Sequence, residues 1–392
     1  MGKTELWTKE YFITTGANFL VAMNYYLLMI VISEYAMLEF RASTASAGLA
    51  VSIFVLGALL ARLGTGRLLA RVGGKEILLA GAIAGVLFSL AYFAVHSLTA
   101  LLALRFLHGA AFGVITTSAA TIIARIVPQE RRGEGVGYYS LSQTLATALG
   151  PFLGIWLTRQ GSYTAIFAAC TGAAALIIVI TLFLSLPQNA VTEEPAGVRR
   201  GFSLSGFLER TAAPISLIAL LIYLCYASVV SFLVVYAKTI KLTEAAGFFF
   251  IVYAVAVVLS RPFVGKTFDK KGEHIVMYPA IIIFGLGLLL FSTSYFAVML
   301  LAAAVCLGLG LGAIQACTQT IVVKVSPPHR LGLANATYLM LCDIGMGAGP
   351  VLAGLVAPFT GFRGMYAITA LLAFACVLLY YLFHHQNHAT VG

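Results

Sequence analysis

Charged side chains are scarce in this sequence. Only 10% of its 392 residues are Asp, Glu, Lys or Arg, whereas 61% are hydrophobic. Soluble globular domains contain about 25% charged and about 45–50% apolar residues, so the composition excludes an ordinary soluble fold and a disordered chain. The formal net charge of +10 does not indicate a nucleic-acid binder, because the basic residues are too scattered to form one patch. A polytopic membrane protein remains.

Motifs of soluble enzymes are also missing. The glycine-rich stretches contain no G-x-x-x-x-G-K-[ST] sequence, which excludes a P-loop ATPase. The six cysteines have neither disulfide-framework nor C-x-x-C spacing, and no cluster of His, Cys and carboxylates has metal-site spacing. We therefore expect no enzyme activity, no metal and no cofactor.

Long apolar segments are abundant. At about 20 residues per membrane helix, the sequence predicts twelve spans. They lie at 11–35, 45–68, 76–95, 98–125, 134–158, 163–186, 213–237, 244–267, 275–293, 295–323, 332–357 and 364–383. The run from Glu273 to Lys324 contains no charge between its ends and is too long for one helix, so we place a break at Ser292-Thr293-Ser294.

The basic residues favour one orientation in the membrane. With the N-terminus inside, 18 of the 24 Lys and Arg residues fall at cytoplasmic ends, as the positive-inside rule requires. We expect a multi-pass protein of the inner (cytoplasmic) membrane with both termini in the cytoplasm. Anionic lipid head groups are the expected partners of the excess charge.

Residues recur at a fixed offset of 199 positions. Paired in this way are Arg62 and Arg261, Gly66 and Gly265, Gly73 and Gly272, Gly109 and Gly308, Gly113 and Gly312, and Gly150-Pro151 and Gly349-Pro350. One offset across five helices predicts two bundles of six helices, residues 1–186 and 213–392, joined by a cytoplasmic linker, residues 187–212. Parallel repeats of this kind are a known plan of transporters.

The loop between spans two and three reads Gly66-Arg67-Leu68-Leu69-Ala70-Arg71-Val72-Gly73-Gly74-Lys75. It resembles the G-x-L-A-D-R-x-G-R-K loop of the major facilitator superfamily. The resemblance implies an all-α, twelve-helix fold in two pseudo-symmetric bundles, a small-molecule substrate and a monomer. It also implies a cytoplasmic gate at Gly66, Arg71, Gly73, Gly265, Asp269 and Gly272. The family aspartate of the first loop is Ala70 here, and only the second copy keeps its acid, as Asp269.

Two further motifs are similar to those of proton-driven exporters in this family. The fourth span contains Arg105-x-x-x-Gly109, and the fifth contains Gly150-Pro151-x-x-Gly154, with Ala146 in place of the preceding family glycine. Gly349 and Pro350 repeat the second motif in the eleventh span. This resemblance implies a drug or metabolite:proton antiporter.

Few titratable residues lie at bilayer depth, where a charge costs about 2.5–3.5 kcal/mol on insertion scales. Arg105 and His108 share one face of the fourth span, and Asp343 is the acid near the middle of the eleventh. We predict that these residues, with Glu34 at the outer end of the first span as runner-up to Asp343, couple transport to protons. The alternatives are a snorkelling arginine, a packing histidine, a structural aspartate and a solvated glutamate at a helix end.

Other polar side chains are candidates for the substrate cavity. They are Asn18, Asn24, Tyr25, Gln143, Tyr223, Tyr226, Gln315 and Gln319. The resemblance implies that helices 1, 4, 7 and 10 line such a cavity, but each residue could equally hydrogen-bond between helices.

The sequence thus predicts a proton-coupled exporter of a neutral, zwitterionic or carboxylate-bearing small molecule, driven by the proton gradient. Drugs and secreted metabolites, including opine-type metallophores, fit this description. The alternatives are a proton symporter for uptake of a sugar or organic anion, a lipid-handling member of the same family, and a membrane sensor.

Overall fold

The computed structural model describes residues 6–128, 131–160, 163–186, 209–327 and 331–389. Most of the expected linker, 187–212, lies outside these residues. The described part is helical and contains no strand. Its helices are α1 (Lys9–Glu39), α2 (Thr44–Val72), α3 (Gly74–Ala91), α4 (Leu98–Ile126), α5 (Arg132–Arg159), α6 (Tyr163–Leu182), α7 (Ala213–Thr239), α8 (Thr243–Lys271), α9 (His274–Ser292), α10 (Ala297–Val325) and α11 (Leu331–Ala389).

Local chemistry explains where several helices begin. Thr8 and Ser97 cap α1 and α4, since each hydroxyl oxygen accepts from the backbone N–H three residues later at 3.2 Å. Pro214 stands in the first turn of α7, where a missing N–H costs nothing. The predicted break at Ser292-Thr293-Ser294 is confirmed, because α9 ends at Ser292 and α10 begins at Ala297.

Glycines with positive φ end or break three helices. Gly73 (φ 113°, ψ 158°) precedes α3, Gly272 (φ 84°, ψ 171°) follows α8, and Gly361 (φ 67°, ψ 171°) interrupts α11. Residues with a side chain essentially never adopt this combination of angles. The break at Gly361 falls between the eleventh and twelfth expected spans.

The helices are suited to a membrane. Among the described residues, ten segments are long and apolar enough to cross a bilayer, and one of them, Leu333–Phe383, includes the break at Gly361. Large apolar side chains also face outward, for example Phe263 (74% exposed) and Val298 (78%). Such surfaces are stable against lipid rather than water, so the chain is a multi-pass membrane protein.

The chain divides into two compact units. The first comprises residues 1–41 and 53–199, and the second comprises residues 42–52 and 200–392. In the first unit α1 packs against α4, α5 and α6, and α3 packs against α4 and α6. In the second unit α11 packs against α7 and α9, and α10 packs against α8 and α9. The boundaries 1–186 and 213–392 stay a prediction.

Candidate functional site

A buried polar cluster lies in the first unit and is centred on α4. Arg105 is 0% exposed and His108 is 6% exposed, one turn apart on the same helix face. Arg105 is therefore buried within the unit and does not snorkel to its surface. A fully buried cation requires specific partners, because its transfer out of water is costly.

Tyr92 joins the two residues. It lies in a short 3₁₀ turn, Tyr92–Ala94, directly after α3, and is 1% exposed. Arg105 Nη1 donates to the Tyr92 hydroxyl at 3.4 Å, and the same hydroxyl lies 3.2 Å from His108 Nδ1. One hydroxyl can thus accept from the guanidinium and donate to the imidazole. We call Tyr92, Arg105 and His108 the arginine cluster.

An aromatic ring covers the guanidinium. Arg105 Cζ lies 4.3 Å from the centroid of the Phe54 ring on α2, within the range of a cation–π interaction. Gly109 makes this approach possible, because a Cβ there would collide with the Phe54 carbonyl oxygen. The glycine one turn after the arginine therefore brings α2 close enough for Phe54 to cover the charge.

The second unit has the same helix contacts without the charge. A Cβ at Gly308 would collide with the Tyr253 carbonyl oxygen, just as a Cβ at Gly109 would collide with the Phe54 carbonyl oxygen. Gly308 and Tyr253 each lie 199 residues after their counterparts in the first unit. Ala304 and Leu307 stand where the offset places Arg105 and His108. The packing is duplicated, whereas the arginine cluster is present in the first unit alone.

Glu34, on α1, is buried rather than solvated. It is 4% exposed, and the hydroxyl of Tyr163 on α6 donates to its Oε2 at 3.2 Å. The Tyr35 ring contacts the rings of Tyr163 (4.9 Å between centroids) and Phe167 (5.3 Å). Phe167 in turn stacks on Tyr92 at 5.1 Å. A continuous set of aromatic rings therefore connects the surroundings of Glu34 to the arginine cluster.

Two predicted cavity residues of α1 hydrogen-bond to neighbouring helices. Asn18 Nδ2 donates to Ser142 Oγ on α5, and Asn24 Nδ2 donates to the Cys170 carbonyl on α6, both at 3.0 Å. Both asparagines are buried. In the described structure they hold helices together. The Oδ1 of Asn24 finds no hydrogen-bond partner among the described residues.

Tyr25 belongs to an aromatic group that covers the arginine cluster. Its ring lies 5.2 Å from that of Phe54 and 5.1 Å from that of Phe112 on α4, and all three side chains are 1–8% exposed. Gln143, on α5, is half-buried. These buried rings form an apolar layer next to the charge of Arg105.

The predicted cavity residues of the second unit differ in exposure. Tyr226 is 3% exposed and stacks on Tyr253 at 5.5 Å, whereas Tyr223 is half-buried. Gln315 and Gln319 are exposed on α10. Asp343 is half-buried on α11.

Sequence reasoning missed several residues near the predicted ones. Tyr338, which lies on α11 five residues before Asp343, hydrogen-bonds to Thr318 on α10 at 3.0 Å. Tyr92 and Tyr163 contact predicted residues from other elements. The sequence gives no periodic signal for these two tyrosines, because their partners lie on other helices.

The two motif glycines of α5 lie against α1. A Cβ at Gly150 would lie 2.8 Å from Tyr26 Cβ, and one at Gly154 would lie 2.8 Å from Ile30 Cγ2. In the second unit a Cβ at Gly349 would lie 2.8 Å from Ala227 Cβ on α7, and Pro350 follows in the helix. These glycines allow close helix packing.

The loop residues are only partly described. Gly73 and Gly272 adopt backbone angles that require glycine. The surroundings of the other predicted gate residues lie outside what the structure describes; these residues are Gly66, Arg71, Gly265 and Asp269.

A bundle of apolar helices that buries an arginine with its polar partners is typical of membrane transport proteins. The sequence model of the Major Facilitator Superfamily matches residues 14–282 and 244–391. The chain therefore belongs to this superfamily and is a transporter, not an enzyme, as the sequence predicted.

Similar proteins extend over nearly the whole chain. An uncharacterised MFS-type transporter of Methanocaldococcus jannaschii is 25% identical, covering 97% of this chain and 99% of its own. The staphylopine export protein of Staphylococcus aureus is 22% identical (86% of both chains), and the multidrug resistance protein MdtG of Citrobacter koseri is 26% identical (91% and 88%). The crystal structure of a bacterial homologue of the human lysosomal transporter Spinster, inward-facing and unoccupied, has a TM-score of 0.78 at 16% identity over 97% of both chains.

Proposed function

We propose that this transporter is a proton-coupled exporter of a small organic molecule. The observation that carries the proposal is the arginine cluster, since a cation this deeply buried is costly and usually functional. Support also comes from similarity to a multidrug resistance protein and to a staphylopine export protein. These relatives favour efflux over uptake.

Protons would enter through a carboxylate. Glu34 and Asp343 are the two candidates, and the burial of Glu34 now makes it at least the equal of Asp343. Protonation in the outward-facing state removes a buried charge and lowers the cost of converting to the inward-facing state. Release of the proton inside then favours binding of a cytosolic substrate. The arginine cluster would supply a fixed positive charge that interacts with the Glu34 carboxylate of the same unit when that carboxylate is ionised.

The substrate we propose is neutral, zwitterionic or carboxylate-bearing. Phe54 covers the Arg105 guanidinium, so this charge would act on a substrate through the aromatic ring rather than by contact. Tyr25 and Phe112, beside the arginine cluster in the first unit, would supply apolar surface. Drugs and secreted metabolites of the opine type remain the best-fitting classes.

We further propose twelve membrane helices in two pseudo-symmetric bundles, both termini in the cytoplasm of an inner-membrane monomer. The break at Gly361 supports the division of α11 into two spans. Recurring features of the two units support the repeat. Positive φ occurs at Gly73 and at Gly272, and Gly109 and Gly308 make equivalent contacts.

The test is transport into inside-out vesicles that contain the purified protein. With the vesicle interior acidified, a labelled drug or metabolite should accumulate, and a protonophore should abolish the accumulation. Glu34→Gln and Asp343→Asn are assayed separately and together. Loss of proton-driven accumulation in one single variant identifies the carrier.

The direction of substrate transport distinguishes an exporter from an uptake symporter. Accumulation in right-side-out vesicles driven by an inward proton gradient would instead indicate an uptake symporter. Full coupling in the double variant would refute both carriers.

A further inference from the structure

A cavity lies inside the second unit, at the end where α8 leads into α9. Its volume is about 430 Å³, which is within the range of roughly 300–1,000 Å³ found for small-molecule sites. Ile215 and Ile218 of α7, Ile321 and Val325 of α10 and Phe383 of α11 form its apolar walls. We call it the end cavity.

Polar groups line one side of the end cavity. Lys324 Nζ lies 2.7 Å from Glu273 Oε2, and the Tyr380 hydroxyl lies 3.1 Å from His274 Nδ1. The Lys324 side chain is 62% exposed, whereas that of Glu273 is 11% exposed. The ammonium group is therefore at the surface and the carboxylate lies behind it.

The same separation of charges holds around the mouth of the cavity. Arg210, Lys270 and Lys271 are exposed on the flanking segments. Glu209 is 2% exposed, and its Oε1 accepts from the Thr211 hydroxyl at 3.1 Å. Among the described side chains at this end, the exposed charges are basic and the acidic ones face inward. The mouth thus presents positive charge to its surroundings.

The described residues at the matching place of the first unit make different contacts. Lys75, 199 residues before His274, donates to the carbonyl oxygens of Leu182 (3.0 Å) and Leu184 (2.6 Å). A Cβ at Gly74, 199 residues before Glu273, would lie 2.9 Å from Ile122 Cγ1. The described contacts of Gly74 and Lys75 therefore differ from those of Glu273 and His274, which line the end cavity.

We propose that the end cavity holds an acyl chain of an anionic phospholipid whose phosphate group lies against Lys324 and its basic neighbours. An apolar cavity gains little from water but much from methylene groups. The positive-inside pattern places this end at the cytoplasmic leaflet, where basic pockets between membrane helices bind anionic head groups. The cavity would make lipid composition a determinant of this protein's stability, whatever its substrate is.

A tryptophan placed in the cavity wall tests the proposal. The full-length variant carries Phe383→Trp with Trp7→Phe and Trp156→Phe, so that its fluorescence reports the cavity alone. It is reconstituted into bilayers that contain phosphatidylglycerol or phosphatidylcholine with brominated acyl chains, which quench tryptophan on contact. Brominated phosphatidylglycerol should quench more strongly at equal mole fraction.

Two further changes separate the head group from the chain. Lys324→Gln should reduce the preference for phosphatidylglycerol about fivefold, since one lysine contributes roughly this factor near an anionic surface. The control Lys238→Gln, at the other end of α7, should leave the preference unchanged. Ile218→Phe, which fills the cavity, should abolish quenching by both lipids without lowering the melting temperature.

Three results would overturn the proposal. Equal quenching by the two lipids would remove the role of the basic mouth. Quenching that persists in Ile218→Phe would place the chain outside the cavity. Absence of quenching by either lipid would show that no acyl chain enters the cavity.

Discussion

The Tyr92 hydroxyl has the most consequential position in the first unit, because two buried residues depend on it. It lies within hydrogen-bond distance of both Arg105 and His108. An orphaned buried polar group costs about 1–3 kcal/mol. Tyr92 therefore stabilises the cluster from another element, 13 residues before Arg105 and 16 before His108.

Tyr92→Phe should destabilise the protein by about 1–3 kcal/mol, because the variant keeps the ring but leaves two polar groups with one partner fewer. The melting temperature in detergent measures this loss. Tyr138→Phe is the matched control, since Tyr138 is 48% exposed and its contact with Trp7 is made by the ring. Equal melting temperatures for the two variants would contradict the role given to the hydroxyl.

Arg105→Met should separate coupling from stability. Replacing a buried cation with an apolar side chain of similar length costs little, because the desolvation penalty disappears with the charge. We expect at most about 1 kcal/mol of lost stability but at least a tenfold loss of proton-driven transport, equivalent to about 1.4 kcal/mol. The vesicle assay and the melting temperature are measured on the same preparation, with Arg159→Lys as control. A variant with a clearly lower melting temperature but undiminished proton-driven transport would assign Arg105 a structural role.

Glycines determine how closely the helices of each unit approach. Gly57, Gly109 and Gly113 place the backbones of α2 and α4 in direct contact. The sequence singled out Gly109 and Gly113 through the repeat offset and the motif of the fourth span. It did not identify Phe54 as the residue that this packing brings over Arg105, because the two helices meet only in three dimensions.

Gly109→Ala should therefore destabilise the first unit by about 1–3 kcal/mol, the usual cost of overpacking. Gly64→Ala is the matched control on α2, because a Cβ there meets nothing within 4 Å. This control should be neutral or stabilising by up to about 1 kcal/mol, since alanine is the better helix former. Thermal unfolding measures the stability of the two variants. An equal loss of stability in both would refute the close contact between Gly109 and Phe54.

Gly361→Ala tests the break in α11. The new methyl group has space, but its backbone angles suit glycine alone, so we expect a cost of about 1–3 kcal/mol. Gly172→Ala, on α6, also has an open Cβ position and serves as the control. A neutral Gly361→Ala would mean that the helix passes through this point without the break.

Much of the architecture could be predicted from the sequence. Apolar segments, the Ser292–Ser294 break and the repeat offset follow from composition and periodicity, and the shared face of Arg105 and His108 follows from helix geometry. Tertiary partners could not be predicted. Glu34 resembles a solvated helix end by position, yet Tyr163, 129 residues away, buries it and donates to it.

The two units share the close contact made at Gly109 and at Gly308 but differ in the polar groups and cavities that they contain. Each unit has its own packed interior and the same glycine contacts, but the arginine cluster is in the first unit and the end cavity is in the second. We infer that the scaffold supplies the mechanics common to both halves. Chemical specificity then resides in residues that the repeat does not share.

Cleavage between the units tests their independence. A protease site inserted after Ala190, outside the described residues, should allow complete cutting without loss of proton-driven transport, because each unit contains its own core. Uncut protein with the same insertion is the control. Separation of the fragments on size-exclusion chromatography, or loss of transport on cutting alone, would show that the linker is mechanically required.

The position of Arg105 beneath Phe54 has an electrical consequence. The charge of Arg105, carried on α4 inside the bilayer, lies in the field of the membrane potential. Full travel of one charge across 100 mV is worth about 2.3 kcal/mol. Any displacement of α4 along the membrane normal would therefore make the rate of the transport cycle depend on voltage, even with equal pH on the two sides.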